Sequence, residues 1–450
     1  MTSTVQQGDS ISGRHRRAAS AAGLVAACDP FNSGQTGKEN TAAVLLACVL
    51  FASLCCAVGC GSGKAGGGGT PPPTYTYSVL HSFTGQPDGG HPTGDVVLDA
   101  AGNLYGMTVN GGTSVSGTVF KVDTTGKETV LYNFTGGADG GPPLQGELVR
   151  DAAGNLFSTT LQGGTSGAGV VFKLDPNNTE TVLYNFTPAD AGFLHTGLVR
   201  NAVTGNLYGT TNGSNVLGAR GTLFQLDPTD TETVLHTFTL PPDGGSPEGD
   251  LIRDAAGNLY GTTSGGGSSN LGTVFKLDAA GTETILYNFT GAPDGAIPVA
   301  GLIQDAAGNL YGTTLDGGVI GGACSIALGC GVVFKLDTTG KETVLYSLTG
   351  GADGSGPSAG LIQDATGNFY GTTSAGGATG NGVIFKLDTA NKETVLHSFT
   401  DADGSFPAAG LVRDAAGNLY GTTSDGGVAG CPMLFGNSEC GVVFKLTYVP

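Results

Sequence analysis

The chain contains no tryptophan, and among its 450 residues there are only 19 lysines and arginines, six histidines and three methionines. Each shortage removes a class of function. Without tryptophan there is no indole platform for stacking a sugar, no tryptophan-docked quinone and no tryptophan-bearing sialidase-type repeat. The net charge of −18 repels phosphate backbones and anionic lipid headgroups, and no basic run is longer than Arg16–Arg17, which excludes nucleic acid as a partner. No HExxH, P-loop, EF-hand or RTX-type calcium pattern occurs. The sequence therefore assigns no catalytic residue, no cofactor and no metal ligand.

What the chain has in abundance is glycine, 81 residues, with Thr, Val, Leu, Phe and Tyr recurring at fixed spacing. The stretch DAAGNLYGTT (254–263) returns seven times. Aligned on the Gly of its Gly-Asn step, the copies fall at Gly102, Gly154, Gly205, Gly257, Gly308, Gly367 and Gly417, with intervals of 52, 51, 52, 51, 59 and 50 residues. A period near fifty indicates a propeller or a solenoid.

One unit, residues 248–295, holds four strand-like runs at 250–253, 258–263, 272–277 and 283–289. Asp-x-x-Gly turns end the first and third runs, where Gly supplies the positive φ of a tight hairpin. Both faces are apolar (Leu259 and Tyr260, Val274 and Phe275, Leu286 and Tyr287), so neighbouring units must cover them. The last unit stops after Lys445-Leu446 without its fourth strand, and an orphan run at 77–84 matches that strand's pattern. The reading is an all-β, seven-bladed propeller of four-stranded antiparallel blades, closed by the N-terminal strand 77–84, which removes open sheet edges.

The leader divides into a polar start at 1–41, an apolar export segment at 42–60 and a Gly/Pro-rich tether at 61–75, ahead of the propeller at 76–450. The segment ending Ala57-Val58-Gly59-Cys60 resembles a bacterial lipoprotein signal, which makes Cys60 the lipidated residue; Ala57 stands where that pattern prefers Leu. A cleaved signal and an uncleaved anchor helix are the alternatives. Only Cys324, Cys330, Cys431 and Cys440 lie in the repeats. Their placement before two copies of Gly-Val-Val-Phe-Lys-Leu predicts disulfides Cys324–Cys330 and Cys431–Cys440, each stapling its own loop, in an oxidising compartment.

The unit GLIxDAAGNLYGTTxxGG…GVVFKLDxxGKETVLYNFTGGxDG resembles the GloVer tandem repeat of exported bacterial proteins over residues 76–446. That resemblance implies a propeller with varied anchors and no assigned activity. The blade grammar is also similar to NHL-type and lactonase-like propellers, without carrying their chemistry over.

Function is expected on the face that carries the variable second-to-third-strand loops (161–169, 212–221, 264–272, 315–331 and 424–441) and the blade connections. In those connections Asp88, Asp139, Asp243, Asp294, Asp353 and Asp403 each precede Gly, with Asp190 as a degenerate seventh. They are candidate binding residues for a cation, including Ca²⁺, or equally the caps of ordinary Asp-Gly turns. His81, His236 and His397 replace a fourth-strand Tyr, and His91 and His195 lie in connections. The lysines of the FKL step (Lys121, Lys173, Lys276, Lys335, Lys386, Lys445) read as solubilising residues of an outer strand. Together these features describe an exported, monomeric binding or scaffold module at the cell envelope. Its partner is an extracellular ligand or envelope protein, and it meets the membrane only through its N-terminus. The alternative is an extracellular glycan or lactone hydrolase or lyase with Asp316 and Asp425 as acid and base.

Overall fold

The computed structural model describes residues 74–143, 146–190, 194, 196–213, 220–239, 241–321, 323–324, 329–434 and 437–450. The export segment, Cys60, the tether up to 73 and His195 lie outside them. Seven four-stranded antiparallel sheets form the blades. No helix of the described residues is long and apolar enough to cross a membrane.

The fourth blade shows why the repeat reads as it does. Its strands are Ile252–Arg253, Leu259–Thr263, Thr273–Leu277 and Glu283–Asn288, ordered as in the chain. The first is shorter than expected, because the two residues before Ile252 leave the sheet where it approaches the ring axis. Asp254 organises the first turn: its carboxylate accepts the Asn258 backbone N–H (2.8 Å), the Asn258 side-chain amide (2.7 Å) and the Tyr260 hydroxyl (3.2 Å). Gly257 closes that turn at φ 93°. Asp, Gly, Asn and Tyr of the DAAGNLY signature are thus the parts of one turn. Gly261 has a different reason: a Cβ there would lie 2.7 Å from Cζ of Phe275 on the facing strand.

The core sits between blades. One cluster joins Val274 and Phe289 of the fourth blade to Leu302, Leu310, Val332 and Phe334 of the fifth. The end of each outer strand inserts a fully buried Phe against the next blade's third-strand Phe, as with Phe289 on Phe334 at 5.2 Å between centroids. Leu348 takes that position at the junction between the fifth and sixth blades. Such edge-to-face contacts add to the burial of two large apolar rings.

The seventh sheet draws its outer strand from the other end of the chain. Thr74–Ser82 pairs antiparallel with Val442–Val449, from Thr74 opposite Val449 to Ser82 opposite Val442. The pairing is longer than the expected 77–84, since Thr74–Thr76 find partners in Thr447–Val449 beyond Leu446. Phe83 then meets Phe120 of the first blade at 5.0 Å, as Phe289 meets Phe334, so this junction packs like the others.

The lysines differ from expectation. They lie on the third strand of six blades, Gln225 taking the place in the third, and five of them, all but Lys173, set the ammonium group over a second-strand tyrosine ring, for example Lys276 at 5.9 Å from Tyr260 and Lys445 at 5.4 Å from Tyr420. Their stems cover aromatic surface while the charge stays near water.

Candidate functional site

Two sets of chain segments share one end of the ring. The connection entering each blade pairs with that blade's second-to-third loop, as in Gly90 with Asn110, Gly244–Gly245 with Gly265–Gly266, Ala296 with Asp316, and Ser405 with Asp425. From these connections the chain enters each first strand through one equivalent position beside the axis. Asp95, Glu147, Gly197, Asp250, Gly301, Gly360 and Gly410 occupy it in turn. Three are acidic and four are glycine, and the glycines leave room for the acids: a Cβ on Gly197 would lie 2.6 Å from that of Glu147, and one on Gly410 2.4 Å from Asp95.

The three carboxyls line a cavity of about 450 Å³, which Glu248, Thr93, Val299, Ala408 and Leu361 also line. Gly197 N–H donates to Asp250 at 2.6 Å, and Gly410 N–H donates to Asp95. Asn212 orients Glu248 through a 2.9 Å bond. Burial pushes the Glu147 carboxyl well above the ordinary range, and the charges of Asp250 and Asp95 push it further. The Asp250 carboxyl rises to about 6, first through burial and then through Asp95. Asp95 is raised by burial, with the Glu147 and Gly410 hydrogen bonds opposing. Burial and the two neighbouring carboxylates thus favour the protonated form of Glu147 more than that of an exposed glutamate. Nothing in the repeat signature announces these residues. The signal that could have found them is the column before each Leu-Ile/Val step, where acids interrupt glycines.

The Asp-Gly residues lie elsewhere. Asp139 accepts Thr135 N–H at 2.8 Å and the Tyr132 hydroxyl at 3.0 Å. Asp294 and Asp353 repeat this with Tyr287 (2.7 Å) and Tyr346 (3.0 Å). In Asp88, Asp243 and Asp403 a histidine replaces the Tyr, and each carboxylate still accepts a threonine N–H of its own turn. Each therefore caps the exit of its own outer strand, and none of the six lines the axial cavity. Asp316 and Asp425 do not meet either. Asp316 borders a separate cavity of about 480 Å³ beside Cys324–Cys330, where burial raises its carboxyl. Asp425 lies 3.2 Å from His91.

Both disulfides form as paired in the sequence, with Cα separations of 5.5 Å (Cys324–Cys330) and 5.2 Å (Cys431–Cys440). They are unequal. Cys431 and Cys440 are buried with Phe83, Val96 and Phe120 in the core between the seventh and first blades, and Cys440 C=O accepts the His91 N–H at 2.8 Å. This bridge reaches beyond its own loop, contrary to expectation, because the chain entering the first blade runs across it.

Among solved structures, the chain is similar to the extracellular domain of a protein described as a hybrid two-component system of B. thetaiotaomicron, at 8% identity and a TM-score of 0.50, covering 82% of this chain and 39% of that one. It is also similar to a gluconolactonase of Xanthomonas campestris, at 14% identity and a TM-score of 0.41, covering 83% of this chain and 100% of that one. The first likeness concerns the propeller fold, and this chain spans well under half the length of that neighbour. No match is found among curated proteins. The sequence profile of one repeat family matches residues 62–254 and 204–435, most of the chain, and this chain belongs to the Gloeobacter/Verrucomicrobia repeat family.

Proposed function

We propose that the protein is an exported binding module, tethered to the envelope through Cys60, that takes a small ligand rich in hydroxyl or amine groups into the axial cavity from the looped face. The observation that carries this reading is the convergence of Asp95, Glu147 and Asp250 from three blades on one cavity that is also lined by small and apolar residues. Its volume of about 450 Å³ falls within the range of about 300–1,000 Å³ usual for small-ligand sites. A sugar or amino sugar suits such walls, since its hydroxyls meet acids and its C–H face meets Val299 and Leu361. The test is a panel of soluble glycans and amino sugars titrated into the full chain and into the Asp95→Asn/Asp250→Asn variant. Binding should weaken at least tenfold in the variant; an unchanged affinity would remove the axial cavity from the reading. Lipidation at Cys60 predicts partitioning into detergent that is lost in Cys60→Ala.

One observation favours a second reading, an extracellular glycan or lactone hydrolase. The Glu147 carboxyl, raised by burial and by the Asp250 and Asp95 charges beside it, has the setting of a general acid. Turnover of any glycan or lactone that disappears in Glu147→Gln would establish it.

A further inference from the structure

We propose that His236, Asp243 and Glu283 form a divalent transition-metal site at the junction of the third and fourth blades, away from the axis and independent of the function proposed for it. His236 comes from the outer strand Glu232–Thr237 of the third blade, Asp243 from the connection that follows, and Glu283 from the start of the fourth blade's outer strand Glu283–Asn288. One imidazole nitrogen and one oxygen from each carboxylate lie within 4.8 Å of one another, and among the described residues this is the one group of three such side chains that does so.

The other junctions isolate what is different here. Where Tyr132, Tyr287 or Tyr346 holds the equivalent position, its hydroxyl donates to the turn aspartate at 2.7–3.0 Å and no nitrogen is present. His81 makes a 3.2 Å hydrogen bond with Asp88, and its trio with Glu128 is not gathered as tightly. His397 is stacked face to face on Tyr77 at 3.8 Å, and Tyr77 occupies the place of the glutamate. Both His81 and His236 stand beside two carboxylates, but only at His236, among the described residues, do all three ligand atoms lie within 4.8 Å of one another. The His236 Nε2 lies 3.4 Å from Asp243 Oδ2 without hydrogen-bond alignment, and both Nε2 and Glu283 Oε1 are shielded from solvent with no hydrogen-bond partner. The glutamate oxygen is also unpartnered at other junctions, through Glu128, Glu180, Glu342 and Glu393. The glutamate therefore belongs to the blade design, and the imidazole is what turns this junction into a ligand set.

A neutral imidazole and two carboxylates supply two negative charges, which a divalent ion neutralises. One nitrogen with two oxygens suits Zn²⁺, Mn²⁺ or Fe²⁺ better than Ca²⁺, which takes six to eight oxygens. Thr239 N–H donates to Asp243 Oδ2 at 2.9 Å and Gly244 N–H to Oδ1 at 2.7 Å, so the carboxylate is already held in orientation, as ligating carboxylates usually are. Water would fill the remaining positions. The bound ion would clip two blades together at the rim.

The test is calorimetric titration of the chelator-stripped full chain with ZnCl₂, MnCl₂ and CaCl₂. Zn²⁺ or Mn²⁺ should bind at one site with a dissociation constant in the micromolar range or tighter, and Ca²⁺ at least tenfold more weakly. His236→Tyr restores the residue found at four other junctions, so it should keep the apo melting temperature while weakening the ion at least tenfold; Glu283→Gln should also weaken it, and His81→Tyr should not. Absence of binding below about 100 μM, equal affinity in His236→Tyr, or a loss that follows His81→Tyr instead would overturn the proposal.

Discussion

The two ends of the ring differ in how regular they are and in what carboxyls they hold. At the hairpin end, Asp99, Asp151, Asp254, Asp305, Asp364 and Asp414 each bind the backbone and side chain of the Asn four residues on, copy after copy. Burial opposes ionisation of these carboxylates, but the Asn amides outweigh it and hold them below the ordinary aspartate range. At the looped end the repeats diverge, and there lie the axial carboxyls held above the ordinary range, both disulfides and the two cavities described above. Aspartate caps turns at both ends, but only the looped end also keeps axial carboxyls at a cost to stability. That contrast separates a scaffold from a candidate site.

The most severe way to break the contrast is to remove what both ends share, the closed ring. Deleting 61–84 exposes the edge of Val442–Val449 and uncovers Phe120, and should give aggregation or non-cooperative unfolding in size-exclusion and melting experiments. A monomer that melts like the parent would count against a closed ring. Next come the bridges. Cys431→Ser/Cys440→Ser should lose about 2–3 kcal/mol of unfolding free energy plus packing against Phe83 and Phe120, whereas Cys324→Ser/Cys330→Ser should lose less; equal losses in chemical denaturation would erase the distinction between them. At the hairpin end, Asp254→Ala leaves the turn donors without their acceptor and should cost about 1–3 kcal/mol.

The smallest effect has the opposite sign. Asp250 has its folded pKa raised to about 6 from 3.8, so between those values the folded chain binds more protons than the unfolded one and stability falls as pH rises. Asp250→Asn should therefore melt higher than the parent at pH 8, with the gain shrinking towards pH 4. A variant less stable than the parent at pH 8 would show that the axial acid supports the ring.

Much of this architecture can be read along the chain because its causes are local. The Asp, Gly, Asn and Tyr of DAAGNLY lie within seven residues and close one turn, and the orphan run before the first unit has a vacancy to fill in the last. The lysines were harder to place. Their role depends on a tyrosine from the neighbouring strand, and a charged residue in an apolar run looks like an edge. The two carboxyl systems were harder still. The Asp-Gly residues attract notice because they recur, yet recurrence follows from turn capping, which every blade needs. Asp95, Glu147 and Asp250 break the repeat at three of seven positions and share no motif.

The sequence by itself determined the blade, the number of blades and the pairing of cysteines, since each follows from spacing along a repeated chain. Only the tertiary structure decided that residues 95, 147 and 250 share one cavity, that Cys431–Cys440 lies in the closing junction, and that His236 faces Glu283 of the next blade. These are contacts between blades, across the axis or around the ring. They depend on how seven nearly equal sheets are turned towards one another, and a pattern that repeats within each sheet carries no record of that.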